Sequence, residues 1–159
     1  MKIALSNDHG GTELKVFISD YLKKLSYEII NLGTDTIVSV DYPDYAYNVA
    51  RLFKEKSINF GILVCGSGIG ISIAANRYSH IRAALCNDVK SCELSRLHND
   101  ANILVLGGRI INHNTALECV DKFLNTEFEG GRHEARIKKF STYSIEMNYD
   151  FPTENKLLV

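Results

Sequence analysis

The chain has 159 residues, with 18 Lys and Arg against 19 Asp and Glu, so its formal net charge at pH 7 is −1. This length suits one domain that buries roughly 70% of its unfolded surface, and 45% hydrophobic residues are typical of a folded globular protein. The balanced charge gives no general attraction for nucleic acid or an anionic membrane, and no apolar run reaches the roughly 18 residues of a membrane span. We therefore predict that the protein binds neither nucleic acid nor a membrane. The N-terminal sequence has no leader-like pattern, which favours a cytoplasmic location.

Apolar runs of strand length alternate with helical patterns along the chain. The predicted strands cover residues 2–6, 28–32, 60–65, 82–86 and 103–106. The predicted helices cover residues 12–25, 43 to about 56, 69–76, 88–97, 115–124 and 132 to about 147. Because parallel strands are joined by crossovers over a sheet face, this alternation predicts a single-domain, three-layer α/β sandwich with a parallel sheet of about five strands. We assign residues 1–149 to the domain, including a C-terminal helical extension, and residues 150–159 to a tail.

Parallel sheets bind ligands at the carboxyl ends of their strands, where neighbouring connections leave on opposite faces. In the common strand order 2-1-3-4-5, that crevice lies between the first and third strands. The loops that follow these two strands are residues 7–11 and 65–70, which hold the densest groups of glycines and reactive side chains in the chain. We expect the functional site at these loops.

The glycines of the second loop alternate as Gly66, Gly68 and Gly70 between a buried strand and a helix. Glycine leaves backbone N–H groups open at a helix start, so we interpret the loop as an anion cradle. The alternative is a tight turn without a ligand. The spacing matches neither a dinucleotide fingerprint nor a Walker loop, so we predict no nucleotide cofactor.

Cys65 is the last residue of the predicted third strand and precedes the start of the following helix, which favours the thiolate. It is therefore the candidate base or nucleophile. The other cysteines, Cys86, Cys92 and Cys119, lie in apolar or helical stretches, and we interpret them as buried, unreactive thiols. All four are predicted to be free, because none forms a Cys-x-x-Cys pair and a chain of this size needs no disulfide.

Asp8 and His9 follow the first strand, so a carboxylate and an imidazole face the same crevice. Asp8 also suits the simpler role of a helix cap. His98 and Asn99 supply the imidazole and the amide that a cysteine hydrolase requires, so hydrolysis is an alternative at this point.

The predicted helix over residues 88–97 begins at the carboxyl ends of the strands and must run back antiparallel to them. We therefore expect His98 at the opposite edge of the sheet from Cys65. If both residues serve one site, a second subunit supplies one of them. This placement predicts a dimer with sites at its interface.

Three arginines follow pairs of glycines: Arg109 after the fifth strand, and Arg132 and Arg136 one helical turn apart near the C-terminus. A guanidinium binds phosphate oxygens through a planar fork of donors, so the last two suit a phosphate. The alternative is a solvated helix face on which Glu129 and Glu134 neutralise them. No group of His, Cys and carboxylate residues shows the spacing of metal ligands, so we predict no metal.

Five motifs add a more specific indication. They are residues 8–11 (DHGG), 41–46 (DYPDYA), 61–77 (GILVCGSGIGISIAANR), 94–106 (LSRLHNDANILVL) and 130–133 (GGRH). Together they resemble the type B ribose-5-phosphate isomerases, a group also placed with the ribose/galactose isomerases. The resemblance implies a Rossmann-like α/β fold, no metal or nucleotide cofactor, and a homodimer or tetramer with its sites at the dimer interface.

The activity implied by the resemblance is interconversion of D-ribose 5-phosphate and D-ribulose 5-phosphate through an enediolate, in the non-oxidative branch of the pentose phosphate pathway. By position, Cys65 matches the family's proton-abstracting base, Ser67 a hydroxyl that moves protons on the substrate oxygens, and His98 the residue that assists ring opening. The matching substrate-binding residues are Asp8, His9, Tyr42, Gly66, Ser67, Gly68, Ile69, Gly70, Asn99, Arg109, Arg132 and Arg136, the last two at the phosphate.

Other functions stay open at this point. Relatives on the same scaffold isomerise allose 6-phosphate or galactose 6-phosphate, so a hexose-phosphate isomerase is the nearest alternative. A noncatalytic sugar-phosphate-binding protein and a thiol hydrolase are the alternatives from other classes.

Overall fold

A computed structural model of the chain describes residues 1–143, with side chains described through residue 140. The strands are β1 (Lys2–Asn7), β2 (Glu28–Asn31), β3 (Phe60–Cys65), β4 (Ala83–Leu85) and β5 (Ile103–Gly107). The helices are α1 (Thr12–Lys24), α2 (Tyr42–Lys54), α3 (Ile69–Ala75), α4 (Val89–Asn99), α5 (His113–Asn125) and α6 (Arg132–Tyr143). All the strand pairs are parallel, so the predicted α/β architecture is confirmed.

The strand order is β2-β1-β3-β5-β4. The predicted order 2-1-3-4-5 is therefore wrong at one side of the sheet, where β5 takes the inner position and β4 the edge. Every residue of β5 is buried, whereas the three residues of β4 are only partly buried. An inner parallel strand is covered on both faces, so the longer and more apolar strand occupies that place. The predicted neighbours β1 and β3 remain adjacent.

The helices cover the two faces of the sheet as separate layers. Buried residues of α1, α4 and α5 form one core, and buried residues of α2 and α3 form the other. Alternation along β3 places Ile62 and Val64 in the first core and Leu63 and Cys65 in the second. The chain therefore leaves β1 and β5 toward one face and β3 toward the other, which opens a crevice on each side of β3.

Local sequence explains where several helices begin. Asp88 caps α4 by accepting the Ser91 N–H, and Asn112 caps α5 by accepting the Thr115 N–H. The Asn112 cap makes α5 start before the predicted residue 115. Pro43 lies in the first turn of α2, where its missing N–H costs nothing.

The last described helix, α6, is attached to the end of α4. Glu129 donates its backbone N–H to the Leu97 carbonyl, at 3.0 Å. Gly130 and Gly131 then take φ values of 70° and 56°, which turn the chain into α6. The predicted end of this helix near residue 147, and the boundary between domain and tail at residue 149, lie outside the described residues. Within residues 1–143, no helix has both the length and the apolar character that a membrane span requires.

Phe123 on α5 is fully buried, and its ring meets the Phe60 ring edge-on with centroids 5.5 Å apart. We expect Phe123→Ala to lower the free energy of unfolding by about 3–5 kcal/mol, because the substitution leaves a cavity in the core. Urea denaturation at fixed protein concentration measures this change. Phe140→Ala is the control, since that ring is 53% exposed, and a similar loss in both variants would contradict the described core.

Candidate active site

Three loops meet at the carboxyl ends of the central strands: residues 8–11 after β1, residues 65–70 after β3, called the glycine loop below, and residues 107–109 after β5. Backbone hydrogen bonds connect the glycine loop and the end of β3 to the loops after β1 and β5. Gly108 donates its N–H to the Cys65 carbonyl at 2.7 Å, and Arg109 donates its N–H to the Gly66 carbonyl at 3.0 Å. On the other side, Asp8 donates its N–H to the Val64 carbonyl at 3.1 Å.

Glycine is required where these loops touch. A Cβ atom on Gly10 would lie 2.8 Å from the Gly66 nitrogen, and one on Gly108 would lie 2.8 Å from the Gly10 oxygen. Both distances are too short for a side chain, so the three backbones approach each other only without one. Gly68 also adopts a φ of 78°, which a residue with a side chain rarely takes. The glycine pattern therefore has a local steric cause.

Cys65 and Ser67 lie within this junction. The Cys65 side chain is buried, and its Sγ accepts a hydrogen bond from the Gly68 N–H at 3.1 Å. Ser67 is exposed, and its Oγ accepts from the Ile69 N–H at 3.3 Å. A sulfur that accepts from a backbone N–H, beside a hydroxyl and further N–H groups, can take up a proton while charge builds on a nearby oxygen.

Asp8 and His9 come from the neighbouring loop. The Asp8 carboxylate is buried and accepts the Gly10 N–H at 2.8 Å, so it caps the short 3-10 turn His9–Gly11 and not α1, the helix that the sequence suggested. His9 is half-buried, and its Nδ1 accepts the backbone N–H of Val40 at 3.2 Å. Both residues thus lie at the carboxyl edge, as predicted.

Tyr42 and Arg109 line the ends of the glycine loop. A Cβ atom on Gly70 would lie 2.6 Å from Cζ of Tyr42, so the phenol ring rests directly on that glycine. A Cβ atom on Gly66 would lie 3.5 Å from Nη1 of Arg109, which places the guanidinium over the other end. An aromatic ring and a cation therefore border the backbone N–H groups between them.

The remaining predicted residues lie at the opposite edge of the sheet. His98 and Asn99 end α4, and β5 then begins at Ile103, which pairs with Gly61 at the start of β3. Along β5, the distance from this edge to the carboxyl edge is about 13 Å. Within one chain, His98 and Cys65 therefore lie at opposite edges of the sheet, as the direction of the helix predicted.

His98 is part of a cluster that the sequence reasoning missed. Its ring stacks on the His133 ring with centroids 4.3 Å apart and an angle of 6° between the planes. Glu129 Oε2 lies 3.7 Å from Nε2 of His98 and 3.6 Å from Nε2 of His133. Glu129 lies before α6, and Gly130 and Gly131 turn the chain between it and His133, so the four-residue spacing of Glu129 and His133 is not that of a helical face. Their approach to His98 depends on how α6 packs against α4.

Arg132 and Arg136 flank the same cluster, and both side chains are exposed. Glu134, offered above as a partner for them, instead pairs with Lys138 at 2.8 Å, and Glu129 faces the two histidines. Within residues 1–140, no carboxylate lies at salt-bridge distance from either arginine. Two guanidinium groups are thus available to an anion.

His98, Glu129 and His133 also offer three possible metal ligand atoms within 4.8 Å of one another. The sequence spacing indicated no group of metal ligands, but in the folded chain these three residues lie close enough together to form one. The arrangement nevertheless does not fit a tetrahedral ion, because lone pairs of parallel rings run side by side and do not converge. Arg132 Nε also donates to His133 Nε2 at 3.3 Å. The absence of a metal stays a prediction.

The His133 pKa is shifted below its ordinary value of 6.5. Desolvation, the neighbouring His98 and the Arg132 guanidinium lower the pKa, and the Glu129 carboxylate partly opposes them. The ring is therefore neutral at pH 7. Because the folded state binds this proton less readily than the unfolded state, His133 reduces stability as the pH falls below its ordinary pKa.

The other cysteines are buried and free, as predicted. Cys92 donates its S–H to the Cys119 carbonyl at 3.1 Å. Hydrogen bonds with Cys119 and Cys86, together with burial, raise the pKa of Cys92, while a hydrogen bond with Cys92 lowers the pKa of Cys86. All three lie in the core away from the glycine loop.

Comparison with known proteins identifies the family to which the chain belongs. A family model described as Ribose/Galactose Isomerase matches residues 3–140. The chain belongs to the ribose/galactose isomerase family. Ribose-5-phosphate isomerase B of Escherichia coli is 41% identical over 147 residues, 92% of this chain and 99% of that protein. Ribose-5-phosphate isomerase B of Clostridium thermocellum has a TM-score of 0.89 at 48% identity, over 91% of this chain and 98% of that one. The enzyme of Mycoplasma genitalium, solved with bound ribulose-5-phosphate, has a TM-score of 0.86 at 38% identity, over 92% and 97% of the two chains.

The charges around His133 lead to a prediction of opposite pKa shifts. Glu129→Gln removes the charge that raises the His133 pKa, so we expect the pKa to fall further. Arg132→Met removes a cation and a donor that favour the neutral ring, so we expect the pKa to rise. NMR titration of the histidine rings measures both. Glu134→Gln is the control because Glu134 pairs with Lys138, and shifts of one sign in both test variants would contradict the described cluster.

Proposed function

We propose that this member of the family interconverts D-ribose 5-phosphate and D-ribulose 5-phosphate in the non-oxidative branch of the pentose phosphate pathway. The observation that carries the proposal is the junction of the Cys65 thiol with the N–H groups of the glycine loop, bordered by Arg109. The relatives support the same reaction, since three of them are ribose-5-phosphate isomerases B and one holds ribulose-5-phosphate. The reaction needs no redox cofactor, because one proton moves between adjacent carbons of the substrate.

The chemistry follows from these groups. Cys65, as the thiolate, takes the proton from carbon 2 of the open-chain aldose, and the electron pair moves into the carbonyl to give an enediolate. Backbone N–H groups of residues 66–70, with Ile69 at the start of α3, stabilise the developing negative charge. Ser67 passes a proton between the two substrate oxygens. The Cys65 thiol then returns its proton to carbon 1, which completes the ketose and regenerates the thiolate.

Substrate contacts at this edge come from four further residues. Asp8 and His9 bind sugar oxygens from the loop after β1. Tyr42 forms a wall of the pocket beside Gly70, and Arg109 adds a positive charge over Gly66. These contacts hold the open chain with carbons 1 and 2 against Cys65, and such positioning contributes much of the rate in a proton transfer.

The phosphate and the closed sugar ring require the other edge. Arg132 and Arg136 bind the phosphate, His98 assists ring opening, and Asn99 contacts the sugar. Within one chain these residues lie at the amino edge of the sheet and Cys65 lies at its carboxyl edge, and the length of β5 between the two edges is about 13 Å. We therefore propose a homodimer in which each site combines the carboxyl edge of one subunit with the amino edge of its partner, or a tetramer built from such dimers.

Exposed apolar residues beside the glycine loop support this assembly. Ile69 and Ile73 of α3 and Ile110 after β5 are 55%, 61% and 61% exposed. A second subunit that covers them would also bring its own His98 and arginines to Cys65. A cytoplasmic location fits a reaction on a phosphorylated sugar of central metabolism, and it stays a prediction.

A hexose-phosphate isomerase is the second candidate, because the family description covers galactose as well as ribose. The chemistry at Cys65 would be the same for an aldohexose 6-phosphate. The distance between the carbonyl and the phosphate would be one carbon longer, so the two substrates differ in where Arg132 and Arg136 must lie relative to the glycine loop.

We expect the purified protein to isomerise ribose 5-phosphate faster than allose 6-phosphate or galactose 6-phosphate, without added metal. Cys65→Ala should lower kcat by about 10²- to 10⁴-fold, because the proton-transferring group is lost. Cys119→Ala is the matched control, since that cysteine is buried in the core. Faster turnover of a hexose phosphate would change the substrate, activity retained in Cys65→Ala would reject the base, and binding without turnover would indicate a sugar-phosphate-binding protein.

If each active site contains residues of both subunits, two inactive variants should restore activity when they form mixed dimers. Cys65→Ala and His98→Asn are each expected to be nearly inactive alone. Refolded as an equal mixture, half of the dimers contain one of each, and each such dimer has one intact site, so about a quarter of the wild-type activity should return. Steady-state kinetics of the mixture measures the recovery. No recovery despite mixed dimers in native mass spectrometry would show that each site lies within one chain.

A further inference from the structure

The segment of residues 32–40, between β2 and α2, is fixed to α1 by a buried lysine. Lys15 is only 3% exposed, and a lysine is almost never buried to this extent unless its ammonium group is paired. Its Nζ donates to the Thr34 carbonyl at 3.0 Å, to Asn31 Oδ1 at 3.4 Å and to the carboxylate of Asp35. These bonds hold the start of the segment against the carboxyl edge. The ammonium also lowers the pKa of Asp35.

Two residues on β1 and α1 bind the same stretch of backbone. Thr12 donates its hydroxyl to the Thr36 carbonyl at 3.0 Å. Asn7 is fully buried, and its side-chain N–H donates to the Thr34 backbone carbonyl at 3.1 Å. The backbone carbonyl of Asn7 accepts the Thr34 N–H at 3.2 Å. The path of residues 34–36 is therefore set by β1 and the first turns of α1, and His9 lies between these two elements.

The far end of the segment touches His9. Val40 donates its backbone N–H to Nδ1 of His9 at 3.2 Å. A neutral imidazole carries one N–H, and the nitrogen that accepts a hydrogen bond is the one without it. His9 is therefore the tautomer with its proton on Nε2. That N–H is left as the ring's donor, and the proposed substrate offers only oxygen acceptors to it.

We propose that Lys15 is a positioning residue for substrate binding. By holding residues 34–36, it places the Val40 N–H on His9 Nδ1 and so fixes His9 with an Nε2–H donor directed at a substrate oxygen. The proposal rests on the proposed function in one respect, since it takes the substrate to bind at His9. Lys15 itself contacts the segment and has no part in the proton transfer at Cys65.

The proposal differs from a purely stabilising role in what it affects. A stabilising lysine would change the unfolding free energy and leave the proton of His9 where it was. A positioning lysine also changes the distribution of that proton between the two ring nitrogens. The nitrogen-15 chemical shifts of the His9 ring report this distribution directly, whether or not the enzyme turns over.

The experiment compares the wild type, Lys15→Met and Lys23→Met in slightly alkaline buffer. Lys23 is the matched control because it is on the same helix and its side chain is 66% exposed. We expect an unprotonated Nδ1 and a protonated Nε2 for His9 in the wild type and in Lys23→Met. In Lys15→Met we expect a mixture of tautomers and a rise in the KM for ribose 5-phosphate of about tenfold, with kcat little changed. Lys15→Arg should restore both values in part.

Thr12→Val is the second test variant, because it weakens the same segment without leaving a buried charge unpaired. It keeps the proposal testable should Lys15→Met fail to fold. We expect a smaller tautomer mixture and a smaller rise in KM than in Lys15→Met.

Two results would overturn the proposal: a protonated Nδ1 in wild-type His9, or an unchanged His9 signature in the folded variants at Lys15 and Thr12. If the tautomers change as expected but the wild type isomerises no pentose phosphate, the positioning role of Lys15 is supported and the proposed reaction is rejected. If turnover is normal and KM does not follow the tautomer change, the link between His9 and the substrate fails.

Discussion

The close approach of three backbones at the carboxyl edge is the constraint on which the rest of the site depends. Gly10 packs against Gly66, and Gly108 packs against Gly10, so neither position 10 nor position 108 has room for a side chain, and the loops after β1, β3 and β5 are bonded across this contact. The contact requires β3 to lie between β1 and β5, and it fixes where the Cys65 sulfur and the adjacent N–H groups lie. Rigid placement of this kind is what proton transfer to carbon requires, because small displacements lower the rate steeply.

Much of this fold was predictable because the determinants are local. Apolar runs located all five strands, and glycines after β1 and β3 indicated the candidate site. The order of β4 and β5 was not predictable from those runs, since both are short and apolar, and their places depend on how well each is covered in the folded chain. The inner position of β5 matters for function, because it brings Arg109 next to Gly66.

Some residues of the candidate site could likewise be placed from the sequence, and others could not. Asp8 and His9 follow β1 and Cys65 is the last residue of β3, so topology alone places them at the carboxyl edge. The His98, Glu129 and His133 cluster forms through contact between α4 and α6, which no sequence spacing records in full. The Val40 N–H is less visible still, because a backbone donor has no residue type, and its contact with His9 exists only through the path of residues 32–40.

The glycine junction also bears on how a protein of this design could acquire a new substrate. A side chain introduced at Gly10 or Gly108 would meet backbone atoms of a neighbouring loop at 2.8 Å, so either substitution requires compensating shifts in that loop. Tyr42, Arg132 and Arg136 are exposed side chains outside that backbone contact. Under the proposed substrate-binding roles of Tyr42, Arg132 and Arg136, adaptation to longer or shorter sugars would proceed through these side chains, while the backbone contact between the loops stays unchanged.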